Sequence, residues 1–156
     1  MKGALAALLL LPLTLTGTTL AAPIDVLEIS SARTVWRGTL GDAEILRYEF
    51  HHSVYQVMVS EELWRDQGGL RVLRARSSDI RAVEYFRWDG RIRLVDDLYV
   101  QDAPADAFPE LTIRVTTEGA QRFVAPRWSL GLRQVFGEGV VHVRPAVVPL
   151  LTTVLP

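Results

Sequence analysis

The stretch EILRYEFHHSVYQVMVSEELW (residues 44–64) decides the predicted fold. Apolar and polar residues alternate in its first part, so Leu46, Tyr48 and Phe50 share one face of a strand. Residues 53–56, SVYQ, form the predicted loop, and a second strand returns antiparallel to the first. The resulting hairpin has the cross-strand pairs His52–Val57, Phe50–Val59, Tyr48–Glu61, Leu46–Leu63, Glu49–Ser60 and Arg47–Glu62.

Short segments rich in β-branched and aromatic residues recur along the rest of the chain, separated by Gly, Asp or Pro. The further candidate strands are residues 26–30, 34–38, 70–77, 82–88, 91–95, 111–117, 121–125 and 139–148. Asp89-Gly90 and Glu118-Gly119 are turn sequences that predict two more hairpins between neighbouring segments. No window has a sustained helical stripe, so at most one short helix is expected, near residues 127–136. The predicted class is all-β, mainly antiparallel, either a sandwich or an open barrel.

The composition excludes several functional classes. The 156 residues carry a formal net charge of -1, so no basic excess is present to neutralise the phosphates of a nucleic acid. Cysteine is absent, which excludes disulfides, thiol catalysis and thiolate metal sites. None of the three histidines lies in an H-E-x-x-H motif. Neither a metal site nor a cofactor is predicted.

Residues 1–22, MKGALAALLLLPLTLTGTTLAA, have the pattern of a signal peptide. Lys2 is followed by an apolar run of about a dozen residues and then by small residues suited to cleavage near Ala21 or Ala22. The alternative is an uncleaved anchor, although the run is short for a membrane span of about 20 residues. We therefore expect one β-rich domain over residues 23–156, with no later membrane span, in the periplasm or secreted.

His52, Ser53 and Glu61 are the first candidate site residues. Adjacent residues of a strand point to opposite faces, so His52 and Ser53 form no nucleophile–base pair without a turn between them. No G-x-S-x-G motif supports a hydrolase either. His52 and Glu61 are polar on an otherwise apolar face, and each needs a partner. His52 is interpreted mainly as a turn cap that holds loop carbonyls, with a ligand site as the alternative, and Glu61 as bonded to Tyr48 or to an arginine.

The same stretch resembles an uncharacterised bacterial family titled domain of unknown function 1850. The resemblance rests on Tyr48, His52-Ser53-Val54, Val59 and Glu61. It continues in LRVLRARSS (residues 70–78), which is similar to the family's L-x-L-x-x-x-R-x-x-S through Leu70, Leu73, Arg76 and Ser77 or Ser78. The family follows that serine with a glycine-rich run, F-G-A-G-L-P, where this chain has SDIRAVEYF. If the run forms part of a site, that site is altered or absent here.

The resemblance implies a setting beside tripartite periplasmic solute transporters, which is an association and not a mechanism. The leading hypothesis is an exported, non-enzymatic accessory module that binds a transporter component or a small anionic solute. Arg47, Arg74 and Arg76 are the expected carboxylate partners. The alternatives are a hydrolase-type enzyme that uses His52, and a structural protein that interacts with the cell envelope. In the predicted register His52 and Glu61 lie about 13 Å apart, too far for a direct catalytic dyad.

Overall fold

The computed structural model describes residues 20–41, 43–66 and 69–151. Two antiparallel sheets and two short helices make up the described part of the chain, which confirms the predicted all-β class. In chain order the elements are β1 (Leu20–Ser30), β2 (Val35–Thr39), β3 (Ile45–His52), β4 (Val57–Asp66), β5 (Gly69–Ser77), α1 (Ile80–Glu84), β6 (Ile92–Val95), β7 (Leu98–Asp102), β8 (Ala107–Phe108), β9 (Leu111–Val115), β10 (Arg122–Ala125), β11 (Trp128–Gly131), α2 (Leu132–Phe136) and β12 (Gly139–Leu151).

The two sheets differ in size. The small sheet has the strand order β2-β1-β12-β9, and the large sheet has the order β11-β10-β3-β4-β5-β7-β6, with β8 paired to β5. The β3–β4 hairpin has the predicted register at every pair, from His52 opposite Val57 to Leu46 opposite Leu63. Its apolar face packs toward the small sheet, because Leu46 and Leu63 share one buried cluster with Leu27 of β1. This face is called the inner face of the large sheet, and the opposite one the outer face.

The expectation of at most one short helix is wrong, because the described residues form two short helices, α1 and α2. α2 lies inside the predicted segment 127–136, whose first part is strand β11 instead. α1 replaces the start of the predicted strand 82–88. Asp79 caps α1 by accepting a hydrogen bond from the backbone N–H of Arg81 at 2.9 Å. Two of its apolar side chains, Ala82 and Val83, are buried, and these tertiary contacts outweigh its short length.

The predicted hairpin at Asp89-Gly90 is also wrong. The turn between β6 and β7 is Asp96-Asp97, and both residues have positive φ, as a two-residue type I′ turn requires. Gly90 serves a different purpose. A Cβ there would lie 2.6 Å from the backbone oxygen of Asp102, so the close approach of the loop to β7 requires glycine.

Glu118-Gly119 joins the two sheets and does not form the predicted hairpin. β9 pairs with β12 in the small sheet, whereas β10 pairs with β3 and β11 in the large sheet. The side chain of Gln121 stabilises the segment that crosses from β9 to β10. It accepts from the N–H of Thr116 at 3.2 Å and donates to the carbonyl of Arg114 at 2.9 Å.

The predicted leader lies outside the described residues except for residues 20–22, whose backbone belongs to β1. Among the residues that the structure describes, no helix is long and apolar enough to cross a bilayer.

Candidate anion-binding groove and the His52 turn

The outer face of the large sheet carries a row of polar residues centred on Ser60. Ser60 lies opposite Glu49 of β3 on one side and opposite Arg76 of β5 on the other. Arg122 of β10 extends the row, because it pairs with Glu49. The neighbouring row holds Arg47, Glu62 and Arg74 in register across β3, β4 and β5. Ser60 is much shorter than the side chains around it, so a hollow lies above it.

Two glutamates organise the arginines of these rows. A carboxylate oxygen of Glu49 lies 2.5 Å from a guanidinium nitrogen of Arg122, but the nearest guanidinium nitrogen of Arg47 is 3.7 Å away. The two carboxylate oxygens of Glu62 form ion pairs with Nη2 of Arg76 at 2.6 Å and with Nε of Arg74 at 3.0 Å. Both carboxylates therefore have close arginine partners, whereas Arg47 has no carboxylate within hydrogen-bond distance among the described residues.

Positive charge exceeds negative charge in this arrangement, since four arginines face two glutamates. The arginine side chains keep between about a third and half of their surface exposed, which leaves donors available to a ligand. The Nε of Arg76 is shielded from solvent and makes no hydrogen bond within the described part of the chain, whereas the Nε of Arg74 lies 3.0 Å from a carboxylate oxygen of Glu62. Buried donors without an acceptor are uncommon and unfavourable.

The hollow measures about 330 Å³, near the lower end of the range for ligand sites. We call it the arginine groove. Its polar lining consists of Arg47, Glu49, Ser60, Glu62, Arg76, Ser77 and Arg122. Met58 and Leu98 line one end, and the side chain of Met58 is half exposed.

His52 lies on the inner face and caps the turn that follows β3. Its Nδ1 accepts the backbone N–H groups of Val54 at 3.3 Å and Tyr55 at 3.5 Å. The predicted capping role is therefore present with the opposite polarity, because the ring accepts from loop amides and does not donate to loop carbonyls. The ring is buried against Tyr55 and Tyr85, with centroid distances of 4.9 and 4.8 Å. These aromatic contacts hold the imidazole in its capping position.

Glu61 lies on the inner face opposite Tyr48, but the prediction that Tyr48 or an arginine bonds it is wrong. No hydrogen bond or ion pair joins the Glu61 carboxyl to any described residue. The apolar surroundings disfavour its charged form, and burial raises the pKa of Glu61 to about 7. Burial, and secondly the charge of Glu61, raise the pKa of Tyr48. Glu61 is thus a titratable group within the β3–β4 face.

A second hollow of about 530 Å³ lies beside the His52 turn, with His51, Ser53 and Glu118 in its lining. The Ser53 hydroxyl makes no hydrogen bond to either histidine in the described residues, so no activated serine is present in this hollow. No cluster of three His, Asp or Glu side chains suited to a metal ion occurs among the residues described.

The six predicted site residues are thus divided between two faces. Arg47, Arg74 and Arg76 come together on the outer face, while His52 and Glu61 lie on the inner face and Ser53 in the turn. Glu49, Ser60 and Arg122 belong to the groove and were not predicted as site residues. Arg122 belongs to the groove only because β10 pairs with β3. The sequence predicts instead that β10 pairs with the preceding strand, β9.

No protein-family model, no curated protein and no solved structure matches this chain. The resemblance to domain of unknown function 1850 therefore stays a prediction.

Proposed function

We propose that this chain is an exported, non-enzymatic accessory module that binds a small anionic solute in the arginine groove. The observation that carries the proposal is the convergence of four arginines on two glutamates around Ser60. Guanidinium groups bind carboxylates through paired hydrogen bonds, and Arg47 and Arg76 have donors that no described residue uses. A role beside a tripartite periplasmic transporter is part of this proposal and rests on the family resemblance alone.

The inner face argues against an enzyme that uses His52. The Nδ1 of His52 already accepts two amide groups, and the ring is packed between tyrosines. Glu61 is four residues further along the paired strand, about 13 Å from His52 at the usual rise of a strand. A general base needs its partner within hydrogen-bond reach, and Glu61 is too distant to orient this histidine.

The test is thermal stabilisation of the full chain by a panel of anionic solutes. Arg76→Gln removes a groove donor, and Arg91→Gln removes an exposed arginine outside the groove as a matched control. We expect at least one anion to raise the melting temperature of the wild type and of Arg91→Gln, with a smaller rise for Arg76→Gln. If the two variants respond alike, or if no anion has an effect, the groove is not an anion site.

A further inference from the structure

The arginine groove is asymmetric along β4, and this asymmetry constrains its ligand. Ser60 and Glu62 lie in the charged rows, whereas Met58 continues the same outer face toward the turn. Leu98 of β7 completes the apolar end. Among the described residues, the three arginines that line the groove all belong to the two charged rows, and His51, which lies opposite Met58, does not line it.

We propose that the groove takes a small monocarboxylate with an apolar body, its carboxylate bound between Arg47 and Arg76 above Ser60 and its body lying on Met58 and Leu98. This inference rests on the proposed function and adds the class of ligand. The Ser60 hydroxyl, which makes no hydrogen bond within the described residues, supplies a further donor beneath the carboxylate. A dicarboxylate fits less well, because its second charge would lie on the apolar end.

The volume of the groove indicates how large a ligand it can hold within its walls. A water molecule accounts for about 30 Å³ of the liquid, so 330 Å³ corresponds to about eleven waters and a solute of about ten non-hydrogen atoms. Met58 is two residues from Ser60, about 7 Å along the strand, which is the length of a chain of about five or six carbons. Hexanoate is therefore a suitable probe.

The experiment is calorimetric titration of the full chain with acetate, butyrate, hexanoate and octanoate, and with phosphate, succinate and the uncharged hexanamide. We expect affinity to increase by up to about fourfold for each methylene as far as hexanoate, the gain for burying a methylene, and to level off at octanoate. Met58→Ser should reduce hexanoate binding toward that of acetate and leave acetate unchanged. Met58→Leu, which keeps the apolar surface, should retain hexanoate binding.

The outcomes separate this inference from the proposed function. If phosphate, succinate, acetate and hexanoate bind with similar affinity, and Arg76→Gln weakens them all, the groove binds anions but the assignment to apolar monocarboxylates is wrong. The same conclusion follows if Met58→Ser weakens acetate and hexanoate equally. If no anion binds, or if hexanamide binds as tightly as hexanoate, the arginines have no ligand role and both proposals are overturned.

Discussion

Glu61 and Glu62 are neighbours in β4, yet their carboxyl groups lie on opposite faces of the large sheet. Glu62 is held by Arg74 and Arg76 on the outer face. Glu61 faces Tyr48 on the inner face and has no cationic partner among the described residues. The pleat of the strand therefore gives two identical side chains opposite electrostatic environments. One organises the groove, and the other makes the stability of the fold depend on pH.

Replacement of Glu61 by glutamine should change the pH dependence of stability. The pKa of Glu61 is about 7 in the folded protein and 4.5 when the group is unperturbed. Between these values the folded state keeps a proton that the unfolded state releases, so the free energy of unfolding falls as pH rises through this window. Glu61→Gln removes that loss. Urea unfolding at pH 5 and pH 8 should show a difference smaller by about 1–3 kcal/mol in the variant. Parallel profiles would contradict the raised pKa of Glu61.

Glu28 should give the opposite pH dependence. Hydrogen bonds from Arg144, and secondly from Arg37, lower the pKa of Glu28 in the small sheet. The stability that it contributes is present above the unperturbed pKa of 4.5 and is lost as pH falls through the lower folded value. Glu28→Gln should therefore destabilise the protein at pH 7 and much less at acidic pH. Thermal melts from pH 7 to pH 3 measure this, with Glu118→Gln, an exposed residue in a turn, as the control. An equal loss at every pH would show that the charge has no role.

His52→Ala should destabilise the fold through the turn after β3. The change leaves the amides of Val54 and Tyr55 without their acceptor and removes a ring that packs against Tyr85. A lost acceptor costs about 1–3 kcal/mol, and urea unfolding should show a loss of this order. His51→Ala is the matched control, because the adjacent strand position points to the outer face, and it should have a smaller effect. His52→Asn should recover part of the loss, since asparagine accepts from amides two residues on. Unchanged stability in His52→Ala would refute the capping role.

The sequence predicts the β3–β4 hairpin well because one physical signal determines it. A shift of one residue would expose Leu46 and Leu63 and bury Arg47 and Glu62, so alternation alone selects the register. The same signal fails for α1, which is too short to show helical periodicity and depends on the cap at Asp79 and on the burial of Ala82 and Val83. Turn sequences mislead as well. Gly90 is required by a close contact with β7, and the real hairpin turn is formed by two aspartates.

The sequence predicts only part of the candidate site, because some of its residues meet through contacts that are distant in the chain. The arginines of β3 and β5 can be placed on one face, because both strands neighbour β4 in the chain and in the sheet. Arg122 is 73 residues from its partner Glu49, and no local pattern predicts that β10 crosses to the large sheet. The partner of Glu61 was inferred from the rule that buried polar groups are bonded. In the described part of the structure the Glu61 carboxyl has no such partner, and its burial favours the protonated form by raising its pKa.

Glu62→Gln should increase the affinity of the arginine groove for anions. Glu62 holds Arg74 and Arg76, so it competes for these guanidinium groups with any bound carboxylate. Ion pairs near the surface contribute about 0.2–1 kcal/mol each, so release of the two arginines should increase affinity by about two- to thirtyfold. Glu138→Gln is the control, because the exposed Glu138 lies beside Arg133 and does not line the groove, and its affinity should match the wild type. Calorimetric titration with hexanoate or phosphate at two ionic strengths measures the change, and the gain should shrink at high salt as charges are screened. If Glu62→Gln binds anions no better than Glu138→Gln, then Arg74 and Arg76 only stabilise the sheet, and the anion must be held elsewhere.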